Sequence, residues 1–218
     1  MSARRRKKGS GRFIVLEGLD GAGTTTQLER VGTALREQGH RVLTTRQPSD
    51  GPIGTLLRQA LTRRLGLPAG GGPLTPETLA LLFAADRTDH LAAIVLPALD
   101  AGQIVLCDRY VHSSLAYQGA DLPMEWVAEI NRFAPPADLT LFVDVDVKTA
   151  ARRRLARGAP EELFEAEASQ RRIARRYRQA LELRSRRERV VHLDGRQPIE
   201  AVTLAALEAI QALPGWGT

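Results

Sequence analysis

Five short apolar segments, rich in β-branched residues, alternate along the chain with longer segments of helical periodicity. The five segments are RFIVLE, RVLTT, QIVLCD, LTLFVDV and RVVHL. Continuous apolar strands separated by helices are typical of a parallel sheet with both faces covered, because such strands are buried on both sides. The pattern predicts an α/β fold in which a five-stranded parallel sheet carries helices on both faces.

The segments between these strands predict helices. Thr75 followed by Pro76 fits the N-cap and first position of a helix that runs toward Leu99. The preceding segment, GLPAGGGPLTP, predicts a surface loop inside one domain of residues 12–214. The other helices are expected over residues 25–38, 53–61, 110–117, 124–133, 147–157 and 199–213, and within 161–187.

The first strand leads into the glycine-rich segment EGLDGAGTTTQ, residues 17–27. A phosphate-binding loop has Gly, four residues, Gly, Lys and then Ser or Thr. Gly18, Gly23 and Thr25 fit this pattern, but Thr24 stands where the lysine belongs. The backbone N–H groups and the helix N-terminus of such a loop bind an anion, and the hydroxyl of Thr25 would ligate Mg²⁺.

The loop by itself leaves two interpretations open. Tight strand-to-helix turns also use glycine for steric reasons alone, without a nucleotide. Lysine occurs in this chain only at positions 7, 8 and 148, so no lysine close in sequence replaces the absent one. If the loop does bind ATP, the residues around the nucleotide are Gly18, Leu19, Asp20, Gly21, Ala22, Gly23, Thr24, Thr25 and Thr26.

The charge distribution gives little support to a nucleic-acid partner. The net charge is +6, but residues 1–12 hold six basic side chains and no acidic one, which leaves 25 of each sign in the remainder. We therefore expect a disordered basic tail over residues 1–11 and no nucleic acid as partner. No apolar stretch approaches the roughly 18 residues that span a bilayer, so we expect no membrane partner and a cytoplasmic protein. The single cysteine, Cys107, is expected to be a buried thiol.

Six segments together resemble bacterial thymidylate kinase in their order and spacing. They are FIVLEGLDGAG, TTRQPSDGPIG, LALLFAADRTDHL, LCDRYVHSSLAYQG, LTLFVDV and HLDGRQPIEAV, and the resemblance covers residues 12–210. It implies a P-loop kinase fold with a short lid near residues 157–170. It also implies Mg²⁺-dependent transfer of a phosphoryl group from ATP to dTMP by a homodimer.

Phe83 and Arg87 are candidates for recognition of a pyrimidine base. Four residues apart on the long helix, they share one face and offer a flat apolar surface beside a cation. A core phenylalanine beside a surface arginine is the competing interpretation. The resemblance implies that Phe83 stacks on thymine and that Arg87 contacts its O4.

Asp108 and Arg109 directly follow an apolar strand, at the end where open α/β sheets bind ligands. An ordinary exposed ion pair would give the same sequence. The resemblance implies that Arg109 and Arg46 bind the dTMP phosphate, and that Asp108 acts with Thr25 on Mg²⁺. It also implies that the remaining contacts to dTMP come from Asp20 at the sugar 3′-hydroxyl, Tyr117 at the 2′ position, and Ser114 and Gln118.

Two departures from the family pattern leave alternatives open. Gln47 stands where the family has glutamate, and residues 158–169, the expected lid, contain no arginine. Arg157 directly precedes this segment, so we expect Arg157 to act as a catalytic residue with Asp108 and Arg109, and the neighbouring arginines 152–154 are the other candidates for this role. The alternatives are a non-catalytic nucleotide-binding relative and a kinase for a different nucleoside monophosphate.

Overall fold

The computed structural model describes residues 11–62, 64, 73–156, 158 and 163–216, with the backbone alone at 163–166. Its five strands are parallel and lie in the order β2-β3-β1-β4-β5. The strands are β1 Arg12–Gly18, β2 Val42–Arg46, β3 Ile104–Asp108, β4 Leu139–Asp144 and β5 Val190–Asp194. The predicted α/β fold with a five-stranded parallel sheet is confirmed. The predicted tail, apart from Gly11, lies outside the described residues.

Helices connect the strands and cover both faces of the sheet. The helices are α1 Thr24–Glu37, α2 Pro52–Leu61, α3 Pro76–His90, α4 Leu96–Asp100, α5 Val111–Tyr117, α6 Met124–Ile130, α7 Val147–Leu155, α8 Leu163–Arg184 and α9 Ile199–Gln211. The predicted cap is confirmed, since the side chain of Thr75 accepts a hydrogen bond from the Thr78 amide. No helix among the described residues combines the length and apolar character needed to cross a membrane.

One turn of π-helix, Leu91–Val95, joins α3 to α4. Pro97 follows it in the first turn of α4. Proline has no N–H to donate and its ring pushes against the preceding turn, so the helix widens locally instead of stopping. The long helix predicted to run toward Leu99 is therefore continuous in direction but changes its hydrogen-bonding pattern at Leu91.

The core lies on both faces of β1. Ile14 and Leu16 belong to the apolar cluster that includes residues of α1 and α9, whereas Phe13 and Val15 belong to the cluster that includes residues of α4. All four side chains are fully buried. Alternate residues of a strand point to opposite faces, so a continuous apolar run is what a strand covered on both sides requires. Cys107 on β3 is buried in the second cluster, as predicted.

The strand order brings the candidate site residues to one edge of the sheet. β1 lies between β3 and β4, so the connections from these strands leave in opposite directions and open a crevice beyond their carboxyl ends. Asp108 lies in register with Leu16 of β1 and with Arg46 of β2. The glycine-rich loop that follows β1 therefore emerges beside Asp108.

Candidate active site

The glycine-rich loop has the backbone conformation of an anion-binding turn. Gly21 and Gly23 have φ values of 93° and 101°, which glycine adopts without steric cost. The loop begins with a turn in which the Ala22 amide donates to the Leu19 carbonyl at 2.9 Å, and α1 begins at Thr24. Because the first amides of a helix have no partner within it, this end of α1 can bind an anion.

Thr24 is turned into the loop and away from solvent. Its side chain is 6% exposed. A Cβ built on Gly18 would lie 3.2 Å from the methyl group of Thr24 and 2.9 Å from the Val143 carbonyl. The threonine methyl thus fills space beneath the loop, and it brings no charge to the position where a lysine would contact phosphates.

Thr25 and Asp108 form a pair suited to a divalent cation. The Thr25 hydroxyl donates to Oδ2 of Asp108 at 2.6 Å. The other carboxylate oxygen, Oδ1, is buried and has no hydrogen-bond partner among the described residues. No group of three His, Cys, Asp or Glu side chains in the described part of the chain could hold a metal by itself. This donor set fits Mg²⁺, which binds through one or two protein oxygens together with water and substrate phosphates.

Arg109 is held in a strained backbone conformation beside the loop. Its φ is 71°, and it is the one described residue other than glycine with a positive φ. Such a conformation costs about 1–3 kcal/mol, so the surrounding contacts must fix it. Its guanidinium donates to Asp20 at 2.7 Å and lies over the ring of Tyr117 at 5.2 Å. The geometry places a cation in direct contact with the glycine-rich loop at Asp20.

A buried network behind Arg109 was not predicted from the sequence. Glu17 accepts hydrogen bonds from the backbone amides of Tyr110 and Ser113 and from the hydroxyls of Ser113 and Tyr177. The same two hydroxyls accept hydrogen bonds from Arg109 at 3.2 and 3.1 Å. Burial raises the pKa of Glu17, while the hydrogen bond from Ser113 and the charge of Arg109 oppose that shift. Glu17 therefore anchors both the start of α5 and the two hydroxyls that orient Arg109.

Arg87 is buried, which corrects the competing interpretation of a surface arginine. It is 2% exposed. Its guanidinium donates to the side chains of Gln47 at 2.9 Å and Ser114 at 3.0 Å, and also to Asn131 and the Tyr110 carbonyl. Gln47 therefore contacts Arg87 through an uncharged amide oxygen.

Phe83 and Arg87 open onto one cavity of about 320 Å³. Its lining contains seven predicted site residues, namely Asp20, Phe83, Arg87, Arg109, Ser114, Tyr117 and Gln118. The hydroxyl of Tyr117 is buried there and has no hydrogen-bond partner within the described chain. Arg46 is not part of the lining, because its exposed guanidinium pairs with Asp50 at 2.8 Å. The structure thus brings together the predicted base and sugar contacts but leaves one of the two predicted phosphate arginines outside.

A second cavity, of about 270 Å³, adjoins the glycine-rich loop on the side of α7 and α9. Ala22, Gly23 and Thr26 line it, together with Arg153. A third cavity, of about 660 Å³, lies between β4, β5, α7 and α8. It shares only Leu19 with the predicted site residues, so size alone does not locate the chemistry here.

Comparison with known proteins identifies the family. A sequence model of the thymidylate kinase family matches residues 16–205. A probable thymidylate kinase of Pyrococcus abyssi is 42% identical over 174 residues, which is 79% of this chain and 84% of that protein. The thymidylate kinase of Thermomicrobium roseum is 42% identical over 197 residues, 87% of this chain and 90% of that protein. The chain belongs to the thymidylate kinase family.

A further member of the family covers nearly the whole chain. The thymidylate kinase of Alkalilimnicola ehrlichii is 39% identical over 214 residues, 94% of this chain and 95% of that protein. The resemblance found in the six sequence segments is therefore confirmed. Arg157, predicted as a catalytic residue of this thymidylate kinase family member, lies outside the described residues, as does part of the predicted lid.

Proposed function

We propose that this protein transfers the γ-phosphoryl group of ATP to the phosphate of dTMP, forming dTDP and ADP. One observation carries the proposal. The cavity lined by Phe83 and Arg87 is also lined by Arg109, which contacts the glycine-rich loop at Asp20 and directly follows Asp108, the partner of Thr25. A pyrimidine nucleotide in that cavity would point its phosphate at the donor site.

The acceptor cavity supports a pyrimidine deoxynucleotide as substrate. The ring of Phe83 offers a stacking surface, and Arg87, though bonded to four protein groups, is fixed beside it as a donor to a base carbonyl. Tyr117 and Gln118 line this cavity together with Asp20. A bulky side chain at that point favours a sugar without a 2′-hydroxyl.

The donor nucleotide is proposed to bind along the glycine-rich loop. Its phosphates would lie at the amides of residues 21–25, and its base in the cavity beside Arg153. Thr25 and Asp108 would hold Mg²⁺, which when bound neutralises charge on the transferring phosphate groups. The carboxylate of Asp108 and the amides of the loop are already in place, so little reorganisation is needed on binding.

Phosphoryl transfer requires the protein to position the two substrates and to supply positive charge around the transferring group. An oxygen of the dTMP phosphate attacks the γ-phosphorus while the bond to the β–γ bridging oxygen breaks, so ADP leaves in line. Arg109 would hold the attacking phosphate, because a guanidinium binds two oxygens at once and fixes their direction. The network of Glu17, Ser113 and Tyr177 keeps that guanidinium from turning away.

A homodimer is the proposed assembly. Leu81, Ile94 and Leu96 on the α3–α4 helix and Leu56 on α2 are exposed, and Leu81 is 51% exposed. These side chains belong to elements that contact each other, α2 with α3 and α3 with the π-turn. Large exposed apolar side chains on adjoining helices favour association. A cytoplasmic location stays a prediction.

A coupled assay of ADP release tests the proposed function. The protein is mixed with Mg²⁺ and ATP and supplied in turn with dTMP, dUMP, dCMP and dGMP. We expect the highest kcat/KM with dTMP. ADP release faster with another monophosphate would assign a different substrate, and ATP binding without release for any of them would support a non-catalytic relative.

Phe83→Ala is expected to raise the KM for dTMP about 10- to 100-fold, because stacking on an aromatic ring contributes about 1–3 kcal/mol per base. The KM for ATP should change little. Phe133→Ala is the matched control, since Phe133 is 66% exposed and contacts Arg132 outside the cavity. Equal changes in both KM values of Phe83→Ala would place the thymine elsewhere. Arg87→Ala is a poorer test, because it leaves buried partners such as Asn131 unpaired.

Tyr177→Phe is expected to raise the KM for dTMP roughly three- to tenfold and to lower the free energy of unfolding by about 1–2 kcal/mol. The variant removes the hydroxyl that joins Glu17 to Arg109 but keeps the ring in contact with Phe142. Tyr110→Phe is the control, since that hydroxyl donates only to the Pro135 carbonyl. It should cost similar stability and leave the KM unchanged. A KM that rises equally in both variants would contradict the orienting role.

A further inference from the structure

Three consecutive arginines on α7 have three different surroundings. Arg152 is exposed and has no side-chain partner within the described chain. Arg153 donates to the Ala22 carbonyl at 3.1 Å and the Gly195 carbonyl at 2.8 Å, so both of its terminal nitrogens tie the glycine-rich loop to the segment after β5. Arg154 donates to the Asp20 carbonyl at 2.9 Å. Arg153 and Arg154 thus both contact the loop, but only Arg153 has both terminal nitrogens occupied by carbonyl groups.

Helix α7 is in direct contact with the loop at Gly21. A Cβ built on Gly21 would lie 2.4 Å from the Ala150 carbonyl and 3.2 Å from Cγ of Arg154. The aliphatic part of the arginine is therefore fixed against the loop, and its guanidinium cannot move far from it. Arg154 is half-buried and belongs to the last turn of α7.

Arg154 has spare hydrogen-bonding capacity and no neutralising partner. Within the described part of the chain it makes the one hydrogen bond to Asp20 and no ion pair. A guanidinium has five N–H donors, so four are available to a ligand. By contrast, Arg109 is already paired with Asp20. An unpaired cation held against a phosphate-binding loop is the feature that a lysine in the loop normally supplies.

We propose that Arg154 supplies, from α7, the positive charge that a lysine at position 24 would bring to the β- and γ-phosphates of ATP. The proposal rests on the proposed function. Part of the effect passes through the loop, because donation to the Asp20 carbonyl polarises the peptide whose N–H belongs to Gly21. The rest would come from the remaining donors of the guanidinium, which lies against the loop that would bind the phosphates. Thr24 can then fill space under the loop without loss of charge in the site.

A double-mutant cycle between positions 24 and 154 tests this assignment. Arg154→Ala is expected to lower kcat about 10- to 100-fold and to raise the KM for ATP more than that for dTMP. Thr24→Lys should change kcat of the wild type by less than about tenfold, because the charge is already present. In the Arg154→Ala background the same lysine should restore most of the lost kcat. The cycle thus measures whether the two charges substitute for each other.

Two variants separate charge from structure. Arg154→Gln keeps an uncharged N–H donor and part of the stem against Gly21, and it should lose nearly as much kcat as Arg154→Ala. Lys148→Ala removes the same charge from an exposed position of the same helix without a contact to the loop, and it should leave kcat unchanged. Melting temperatures of all variants show whether the fold is kept, and the glutamine variant serves if the alanine variant does not fold.

Several results would overturn the assignment. Full activity of Arg154→Gln, a loss in Lys148→Ala as large as in Arg154→Ala, or an equal effect of Thr24→Lys in both backgrounds would each do so. Wild-type protein that releases no ADP with any monophosphate would instead contradict the proposed function. In that case calorimetry measures the affinity for Mg·ATP of the wild type, Arg154→Ala, Thr24→Lys and the double variant. The assignment then requires a weaker affinity in Arg154→Ala and its recovery in the double variant.

Discussion

Replacement of Asp108 by asparagine is expected to lower kcat about 10²- to 10³-fold, the usual cost of losing one charged contact with a transferring group. Asparagine has nearly the same shape and still accepts the hydrogen bond from the Thr25 hydroxyl. What it lacks is the negative charge that makes a carboxylate a ligand of Mg²⁺. The Mg²⁺ concentration that gives half-maximal activity should therefore rise at least about tenfold.

The melting temperature of the same variant, measured without Mg²⁺, should not fall with kcat. Oδ1 of Asp108 is buried without a hydrogen-bond partner among the described residues, so the metal-free protein carries an uncompensated charge there. Asparagine removes that charge, and we expect the melting temperature without Mg²⁺ to stay equal or rise. A melting temperature that falls by many degrees together with kcat would show that Asp108 maintains the fold instead of the metal site.

Replacement of Arg109 is expected to lower kcat/KM for dTMP by about 10³-fold, within the range found for arginines that contact a transferring phosphoryl group. Glycine is the best substitute, because it adopts the φ of 71° found at this position without strain. Arg109→Lys keeps the charge but loses the planar fork that binds two phosphate oxygens. Its kcat/KM should lie between those of the glycine variant and the wild type.

Arg46→Ala is the comparison that decides between the two predicted phosphate arginines. Arg46 is exposed and paired with Asp50, whereas Arg109 faces the cavity and is held by Tyr177 and Ser113. We expect kcat/KM for dTMP to fall by less than about tenfold in Arg46→Ala. A loss as large as that of the Arg109 variants would mean that Arg46 turns to the substrate on binding. No loss in the Arg109 variants would remove the acceptor phosphate from this position.

The alternation of apolar runs was sufficient to predict the sheet and most helices. A strand covered on both faces needs an uninterrupted apolar sequence, and Phe13, Ile14, Val15 and Leu16 have it. The N-cap at Thr75 was equally local, because its hydrogen bond reaches only three residues along the chain. The glycine spacing likewise predicted a loop between the first strand and its helix, and in that loop Gly21 and Gly23 have positive φ. In each case the residues that allow the prediction are the same residues that form the predicted element.

The contacts that orient the site residues could not be predicted from local sequence patterns. Tyr177 lies on a helix whose sequence is dominated by charge, yet its hydroxyl bonds Glu17 across 160 residues of chain. The sequence around Arg87 fits a surface residue as well as a site residue. The buried Arg87 donates a hydrogen bond to Asn131, which is 44 residues away in the chain. Arg154 stands in a run of three arginines that the sequence does not distinguish, and only the packing of α7 on Gly21 selects it. Periodicity records which face of an element is buried, whereas the partner on the other side is set by the order of strands and helices in the folded chain.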